Sequence, residues 1–389
     1  MIRWSEEQQA LRDAISEIAR TIGSDHIERD AEGSFAWGDW KRLREVGVFG
    51  LPFTSWWGGL DQDLLTTMYV LEGLGYGCRD AGLNFSVSTH IVSTGVPLQR
   101  FGSTALKERY MPEICAGSMI GAHAITEPSG GSDVMSMRTT AVRDGDHFVL
   151  NGSKCFVSNG PIADLLVVYA RTGKPGDLAS LTTFLIRKDT PGLAVGNPIP
   201  KMGLRTSPIA EVFFDDVRVP RTHVIGSVGA GFLILDEVMK WEILCGFVIN
   251  LGEMQHRLER CVEYVRTRTQ FGTNIGANQS VSNRVVEMRM DVDTSRKWLY
   301  DTAEKLQLKA PDVAHDIAMT KLMVSEANLR SALSAVQLFG GYGYTTEYGI
   351  EKDLRNAVPG TIYSGTSEIQ RQRLAVLMGL NKPAPTKVA

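Results

Sequence analysis

Two segments combine short hydroxyl side chains, glycines and an aromatic residue in a pattern suited to binding an anion or a planar ring. Residues 124–133 read AITEPSGGSD and follow an apolar, strand-like run at residues 119–124. Such a turn brings backbone N–H groups and hydroxyls close to a ligand, although a plain hairpin turn would have the same composition. Residues 151–160 read NGSKCFVSNG and follow about twenty residues later.

Together these segments resemble the flavin-binding region of the acyl-CoA dehydrogenase family, in which a T-E-P-x-x-G-S-D loop precedes N-G-x-K-x-aromatic-I-[ST]-N-G. Two further segments are similar to the family: RTRTQFG at residues 266–272 and QLFGGYGY at residues 337–344. The second of these continues through Glu347, Lys352, Arg355 and Asn356. The resemblance covers nearly the whole chain and implies an FAD-dependent enzyme.

The resemblance also implies which side chains hold the cofactor. Thr126 and Ser158 would donate hydrogen bonds to N5 and the pyrimidine edge of the flavin, where such donors stabilise the electron-rich reduced ring. Phe156 would pack against the ring face, and Ser132 would lie beside the pyrophosphate. Thr366 and Glu368 would complete the site of the same subunit, although the family more often has Gln at position 368.

A second set of residues would reach the FAD of a neighbouring subunit. By resemblance these are Arg268, Phe271, Gln337 and Gly341. The pyrophosphate is anionic and needs cationic or N–H partners, although a plain surface charge is the alternative interpretation of Arg268. A shared cofactor implies at least a homodimer, and most members of the family are homotetramers.

The catalytic base departs from the commonest family pattern. In the largest branch the base is the glutamate of I-Y-E-G-T, but residues 362–366 here read IYSGT, and Ser364 cannot act as a base unaided. The isovaleryl, long-chain and prolyl-carrier-protein branches place the glutamate on a helix before R-x-x-F-G, and this position falls on Glu242. Those branches often have Arg next, where this chain has Ile243.

Helical spacing places Glu242 on one face with Cys245, Gly246 and Ile249. These small or apolar neighbours favour a partly buried carboxylate, and an exposed helix glutamate is the alternative. Burial raises the pKa of a glutamate, which suits a general base. Ser364, Cys245 and Gly246 are the candidate substrate-binding residues.

We therefore expect an FAD-dependent dehydrogenase that acts on the α,β bond of an acyl thioester of CoA or of an acyl carrier protein. A glutamate would remove the α-proton, and the flavin would accept the β-hydride. An electron-transfer flavoprotein is the family's usual electron acceptor, with oxygen as the alternative. Two other functions stay open: a flavin-dependent monooxygenase or oxidase on the same fold, and a non-catalytic flavoprotein subunit.

The hydrophobic periodicity indicates helices, then short strands, then helices, and the resemblance implies an α+β protein whose three domains follow this order. An N-terminal α-helical domain at residues 1–118 precedes a small β-barrel-like domain at 119–226. A C-terminal four-helix bundle at 227–382 and a disordered tail at 383–389 follow. Ser5 and Gln8 predict a helix cap, and Asp144-Gly145 predicts a hairpin. The adjacent Trp56 and Trp57 favour a core plug, and His90 a structural histidine.

Composition narrows the classes of function. The chain has 389 residues, a net charge of −3, 43% hydrophobic and 22% charged residues, which is typical of a globular protein without a nucleic-acid or anionic-membrane partner. No apolar run is long enough to cross a membrane, and the polar N-terminus is not typical of a signal peptide. The five scattered cysteines and seven histidines have no metal-ligand spacing. Reduced thiols and a cytoplasmic location are therefore expected.

Overall fold

The structure is a computed structural model that describes residues 2–380 and divides into two compact units. The first unit comprises residues 2–253, and the second begins at residue 254. The predicted tail at 383–389 lies outside the described residues. The predicted boundaries of the three domains stay a prediction.

The first unit opens with helices. In chain order they are α1 (Glu6–Thr21), α2 (His26–Glu32), α3 (Trp37–Glu45), α4 (Leu64–Gly77), α5 (Ala81–Ser88), α6 (Val96–Phe101) and α7 (Thr104–Cys115). A π-helical segment, Thr89–Gly95, joins α5 to α6. The predicted cap of α1 is confirmed, since Gln8 N–H donates to Ser5 Oγ at 3.1 Å and Ser5 N–H donates to Gln8 Oε1 at 2.9 Å.

The two predictions for aromatic residues in this region have different outcomes. His90 is a structural histidine as predicted: it is fully buried, with Nε2 2.9 Å from the Ile114 carbonyl and Nδ1 3.1 Å from Gly121 N. The core plug is wrong, because Trp56 is 80% exposed. The two tryptophans lie on a short 3-10 helix at the surface, where their rings pack edge to face on each other, 6.3 Å apart.

An eight-stranded sheet follows. Its strands are β1 (Gly121–Ala124), β2 (Thr140–Asp144), β3 (His147–Ser158), β4 (Leu165–Arg171), β5 (Leu181–Arg187), β6 (Leu193–Val195), β7 (Ile209–Pro220) and β8 (Val224–Ile225). The order is β6-β7-β3-β2-β4-β5-β8, and β1 pairs with β4 in parallel. The Asp144-Gly145 hairpin is confirmed, since Asp144 pairs with His147 and Gly145 has φ +58°. Alternate residues of these strands form one hydrophobic core.

The helix α8 (Gly231–Thr267) begins in the first unit and ends in the second. The remaining elements of the second unit are β9 (Thr269–Gln270), β10 (Thr273–Asn274), α9 (Gln279–Gln307), α10 (Val313–Phe339), α11 (Gly341–Tyr344), α12 (Ile350–Ala357) and α13 (Ser367–Leu377). The long helices predicted at 232–267, 279–308 and 312–338 are confirmed to within one residue at each end. Helix α10 packs against α9, α12 and α13.

Glycines allow α4 and α8 to cross with their backbones in contact. A Cβ added at Gly75 would overlap the carbonyl of Ile249, and one at Gly252 would overlap the carbonyl of Glu72. No side chain fits at either position, so the crossing fixes the N-terminal half of α8 against the helical layer of the first unit. Glu242 lies on this half of α8.

We expect Gly75→Ala to destabilise the protein by about 1–3 kcal/mol, because the added methyl group forces two helices apart. Urea unfolding measures this loss. Gly38→Ala is the matched control, since a Cβ at Gly38 has no atom within 4 Å. A Gly75→Ala protein as stable as the Gly38→Ala protein would contradict the close helix crossing.

Candidate functional site

A buried ion pair holds the 124–133 loop against β3. Lys154 Nζ lies 2.9 Å from Glu127 Oε1 and donates to the Ile125 carbonyl, also at 2.9 Å. The Glu127 carboxylate accepts two backbone N–H bonds as well, from Arg138 at 2.6 Å and from Thr139 at 2.8 Å. The loop is therefore fixed through the side chain of Glu127 in the T-E-P motif.

Burial and charge act in opposite directions on this pair. Burial lowers the pKa of Lys154 to about 8, although the charge of Glu127 opposes this shift. Burial alone would raise the pKa of Glu127, but the Lys154 charge and the hydrogen bonds from Thr139 and Arg138 outweigh it, so this pKa lies below its usual value. Because the two opposite charges lie together, each offsets part of the free-energy cost of burying the other.

The loop and β3 form a surface of short hydroxyls beside one aromatic ring. Cys155 N–H donates to the Thr126 carbonyl at 2.8 Å, which joins the loop to β3. Phe156 lies at a bulge of β3, has φ +55° and is 63% exposed. Thr126 and Ser158 are half-buried nearby in the chain, and Ser132 is exposed.

Asn159 anchors the end of β3. It adopts φ +62°, is fully buried, and its side-chain amide donates to the carbonyls of Ser86 at 3.1 Å and Gly121 at 3.2 Å. This links β3 to α5 and to the start of β1, and so fixes the position of the preceding Ser158.

These residues fit a flavin. An exposed aromatic face flanked by hydroxyl donors matches a planar ring with polar edges, and the open backbone at Gly130 and Gly131 matches an anionic phosphate group. A Cβ at Gly130 would have its nearest neighbour at 3.9 Å, so this turn presents bare backbone. The donor set supplies hydrogen bonds and the aromatic face supplies stacking, as FAD requires.

The residues predicted to reach a neighbouring subunit are exposed on the second unit. Strands β9 and β10 form a hairpin whose turn residues Phe271 and Gly272 have φ of +52° and +77°, as a two-residue type I′ turn requires. Phe271 is therefore fully exposed at the tip. The guanidinium of Arg268 lies 5.8 Å from the Tyr342 ring centroid, and Gln337 and Gly341 are exposed at the junction of α10 and α11.

The 362–368 segment caps helix α13. Thr366 accepts a hydrogen bond from Ile369 N–H at 3.3 Å, so its hydroxyl is a helix cap. Ser364 is buried, has φ +54°, and its carbonyl accepts from Gln370 Nε2 at 2.9 Å. The side chain of Glu368 is 82% exposed and lies 4.0 Å from Arg371.

Glu242 is surrounded by three elements of the first unit. Its side chain is 22% exposed, and its Oε2 accepts a hydrogen bond from Ser93 Oγ at 3.1 Å. The same oxygen lies 3.6 Å from His123 Nδ1 on β1. One turn further along α8, Cys245 is fully buried, and a Cβ at Gly246 would lie 3.7 Å from Ser88 Oγ. The carboxylate therefore faces the interior.

Chain connectivity places this carboxylate near the flavin surface. His123, which contacts Glu242, precedes Thr126 by three residues, and a fully extended chain spans at most roughly 3.3–3.6 Å per residue. The Cα atoms of His123 and Thr126 are thus within about 11 Å of each other. The Glu242 carboxylate and Thr126 therefore lie near the two ends of one short strand segment.

Sequence reasoning missed the contacts of Ser93 and His123 with Glu242, and the Glu127–Lys154 pair. The first two join positions more than a hundred residues apart, so no local spacing indicates them. The pair had a signal, because Glu127 and Lys154 carry opposite charges in the two quoted motifs.

Two further observations apply to the described residues. None of the helices in residues 2–380 combines the length and the apolar composition that a membrane crossing requires. Across the same residues, no group of three or more His, Cys, Asp or Glu is placed to hold a metal ion.

Comparison with known proteins identifies the family. Models described as the N-terminal, middle and C-terminal domains of acyl-CoA dehydrogenase match residues 5–118, 122–217 and 229–378. The chain belongs to the acyl-CoA dehydrogenase family. The predicted fold and class are confirmed: it is an oxidoreductase, an FAD-dependent acyl-thioester dehydrogenase.

Several relatives are similar over nearly the full length. An L-prolyl-peptidyl-carrier-protein dehydrogenase from a Serratia species is 40% identical over 88% of this chain and 88% of its own. A crystal structure of the prolyl acyl carrier protein oxidase AnaB has 40% identity and a TM-score of 0.94, with 97% of this chain and 100% of that chain covered. A structure of PigA with FAD and proline has 36% identity and a TM-score of 0.95, with 98% and 100% covered.

We expect Lys154→Met to destabilise the protein by about 3–5 kcal/mol, because it leaves the buried Glu127 carboxylate without its cation. The midpoint of urea unfolding and the flavin absorbance of the purified protein both report this change. The exposed Lys174 gives a matched control in Lys174→Met, for which we expect a change within about 0.5 kcal/mol. Equal stability of the two variants would show that the pair does not hold the loop.

Proposed function

We propose that Glu242 is the base of this dehydrogenase and removes the α-proton of an acyl thioester. The observation that carries the proposal is the placement of Glu242: a largely buried carboxylate bound by Ser93 and located beside the strand that leads to Thr126. Ser364, at the alternative base position, has no basic group of its own. When bound, FAD accepts the hydride that leaves the β-carbon.

The residues around Glu242 have separate roles in this proposal. Ser93 donates to Oε2 and so holds the carboxylate in one orientation. Cys245 and Gly246 offer small side chains one turn away, which leaves room for an acyl group next to the carboxylate. The α-proton ends on a Glu242 oxygen.

The flavin would be held by residues from one subunit and completed by residues of another. We propose that Thr126, Ser158, Phe156 and Ser132 bind the flavin as residues of its own subunit. Thr366 and Glu368 belong to the same set. The exposed aromatic and hydroxyl groups of the loop and of β3 support this assignment. Glu368 has the weakest support. Its side chain is 82% exposed, and an ionised carboxylate repels an anionic ligand.

We propose a prolyl thioester on a carrier protein as the substrate, in preference to a fatty acyl-CoA. The support comes from the relatives: the Serratia protein is named for a prolyl group on a peptidyl carrier protein, and PigA was solved with proline. Both cover at least 88% of this chain. The phosphopantetheine arm of CoA and of a carrier protein is chemically the same, so the distinction rests on the acyl group.

We expect Glu242→Gln to slow anaerobic reduction of the flavin by prolyl thioester about 10²–10⁴-fold, because the amide cannot accept the α-proton. Stopped-flow absorbance of the flavin band measures the rate. Glu237→Gln is the control on the same helix, since Glu237 contacts Arg100 and Lys240 and lies outside the proposed base site. Undiminished reduction in Glu242→Gln would exclude this residue as the base.

We also propose a homodimer or homotetramer in which Arg268, Phe271, Gln337 and Gly341 reach the cofactor of a neighbour. Phe271 at 101% exposure and Tyr344 at 83% are large apolar surfaces for a lone chain to leave in water. An interface between copies of the chain would cover them.

Two changes at the hairpin test this assembly. We expect the double variant Arg268→Ala, Phe271→Ser to lose FAD on gel filtration and to shift toward smaller species, because it removes a cation and an apolar anchor. Light scattering gives the mass, and the flavin-to-protein absorbance ratio gives the FAD content. Leu308→Ser, at another residue 76% exposed, is the control. Full FAD retention by a monomeric double variant would refute cofactor sharing.

We propose an electron-transfer flavoprotein as the electron acceptor and the cytoplasm as the location. The name of the AnaB enzyme, an oxidase, favours oxygen as the alternative acceptor. The five cysteines are buried free thiols, which supports a reducing compartment.

A further inference from the structure

His123 is a buried histidine next to the proposed base. Its side chain is 6% exposed, and its Nδ1 lies 3.6 Å from Glu242 Oε2. The neighbours of His123 on β1, Ala122 and Ala124, point to the hydrophobic core, so alternation turns His123 to the opposite face. There its ring meets that of Tyr169 edge to face, with centroids 5.3 Å apart.

The second ring nitrogen of His123 has no partner. Within residues 2–380, Nε2 is buried without a hydrogen bond. Leaving such a group unpaired costs about 1–3 kcal/mol. His90 shows the contrast, since both of its nitrogens bond to the backbone. An unpaired buried nitrogen beside a carboxylate indicates a position where a ligand supplies the missing partner.

The Glu242 carboxylate determines which ring nitrogen of His123 carries the hydrogen. A hydrogen on Nδ1 faces the Glu242 anion favourably, whereas a lone pair there would be repelled. With its hydrogen on Nδ1, the neutral imidazole presents Nε2 as an acceptor. The distance of 3.6 Å is longer than a hydrogen bond, and such contacts often tighten when substrate binds.

The proposed prolyl substrate carries an N–H group that is a donor for Nε2 of His123. In a prolyl thioester the ring nitrogen is bonded to the α-carbon whose proton Glu242 would remove. That nitrogen carries at least one N–H, whether or not the amine is protonated. A group that touches Glu242 is therefore close to the α-carbon and its substituents, where a prolyl group carries an N–H and a simple acyl group has only C–H bonds.

We propose that His123 is a specificity-determining residue that accepts a hydrogen bond from the α-amino nitrogen of the substrate and so selects aminoacyl over simple acyl thioesters. This rests on the proposed function and names the substrate class of the same site. A site built to bond an N–H rejects an analogue without one, because the buried acceptor then stays unpaired.

The other groups around Glu242 are less suited to this role. Ser93 already donates to Oε2. Burial and the charge of Glu242 raise the pKa of Tyr169, so its phenol stays neutral. Its hydroxyl is also buried without a partner in the part of the chain that the structure describes, but a phenol oxygen is a weaker acceptor than an imidazole nitrogen. With its hydrogen on Nδ1, His123 offers Nε2 as the acceptor on the β1 side of the carboxylate.

The test compares prolyl with cyclopentanecarbonyl thioesters of pantetheine, which differ by one N–H against one CH₂. In the wild-type holoenzyme we expect the ratio of flavin reduction rate to dissociation constant to favour prolyl by about ten- to a hundredfold. His123→Leu should abolish most of this preference, so that the ratio between the two substrates falls toward one even if both values decline with the lost contact to Glu242. His123→Gln, whose amide oxygen reaches the Nε2 position, should restore part of it.

Calorimetry with non-reactive thioether analogues of both substrates gives a second measurement that does not depend on turnover. His223→Leu, which removes a half-buried histidine bonded to the Leu185 carbonyl, is the control. Equal losses on both substrates in His123→Leu, or no wild-type preference, would overturn the role of His123 while the dehydrogenase assignment stands. Failure of both thioesters to reduce the wild-type flavin would instead overturn the proposed substrate.

Discussion

The pairing of Glu127 with Lys154 is the constraint on which the flavin surface depends. Two charges with almost no exposure face each other at 2.9 Å; Glu127 also accepts from two backbone N–H groups, and Lys154 also donates to one backbone carbonyl. Removing either partner leaves an uncompensated charge in an apolar interior. The pair therefore ties the loop that carries Thr126 and Ser132 to β3.

A second constraint fixes the position of Glu242, the proposed base. Helix α8 carries Glu242 and lies against α4 where Gly75 and Gly252 bring backbones into contact. The carboxylate then meets Ser93 from the π-helical segment and His123 from β1. Three elements from different parts of the sequence converge on one oxygen, as expected for a general base whose orientation must be fixed.

Local patterns predicted much of this architecture. The Ser5 cap, the Asp144-Gly145 hairpin and the three long helices follow from interactions between residues close in sequence, so the chain itself contains the information. The motifs also pointed to Thr126, Ser158, Phe156 and Glu242. Trp56 was misplaced, because bulky aromatic residues usually mark a core and the surface 3-10 helix that exposes them has no periodicity. Ser93 and His123 could not be predicted, since their contacts with Glu242 depend on tertiary packing.

The burial of Cys245 has a consequence for a flavoenzyme. Reduced flavins that meet oxygen generate peroxide, and peroxide attacks the thiolate form of cysteine. Cys245 lies one helical turn from Glu242, but burial raises its pKa far above the ordinary value, so almost no thiolate forms. The sulfur beside the proposed base is thereby protected from oxidative damage.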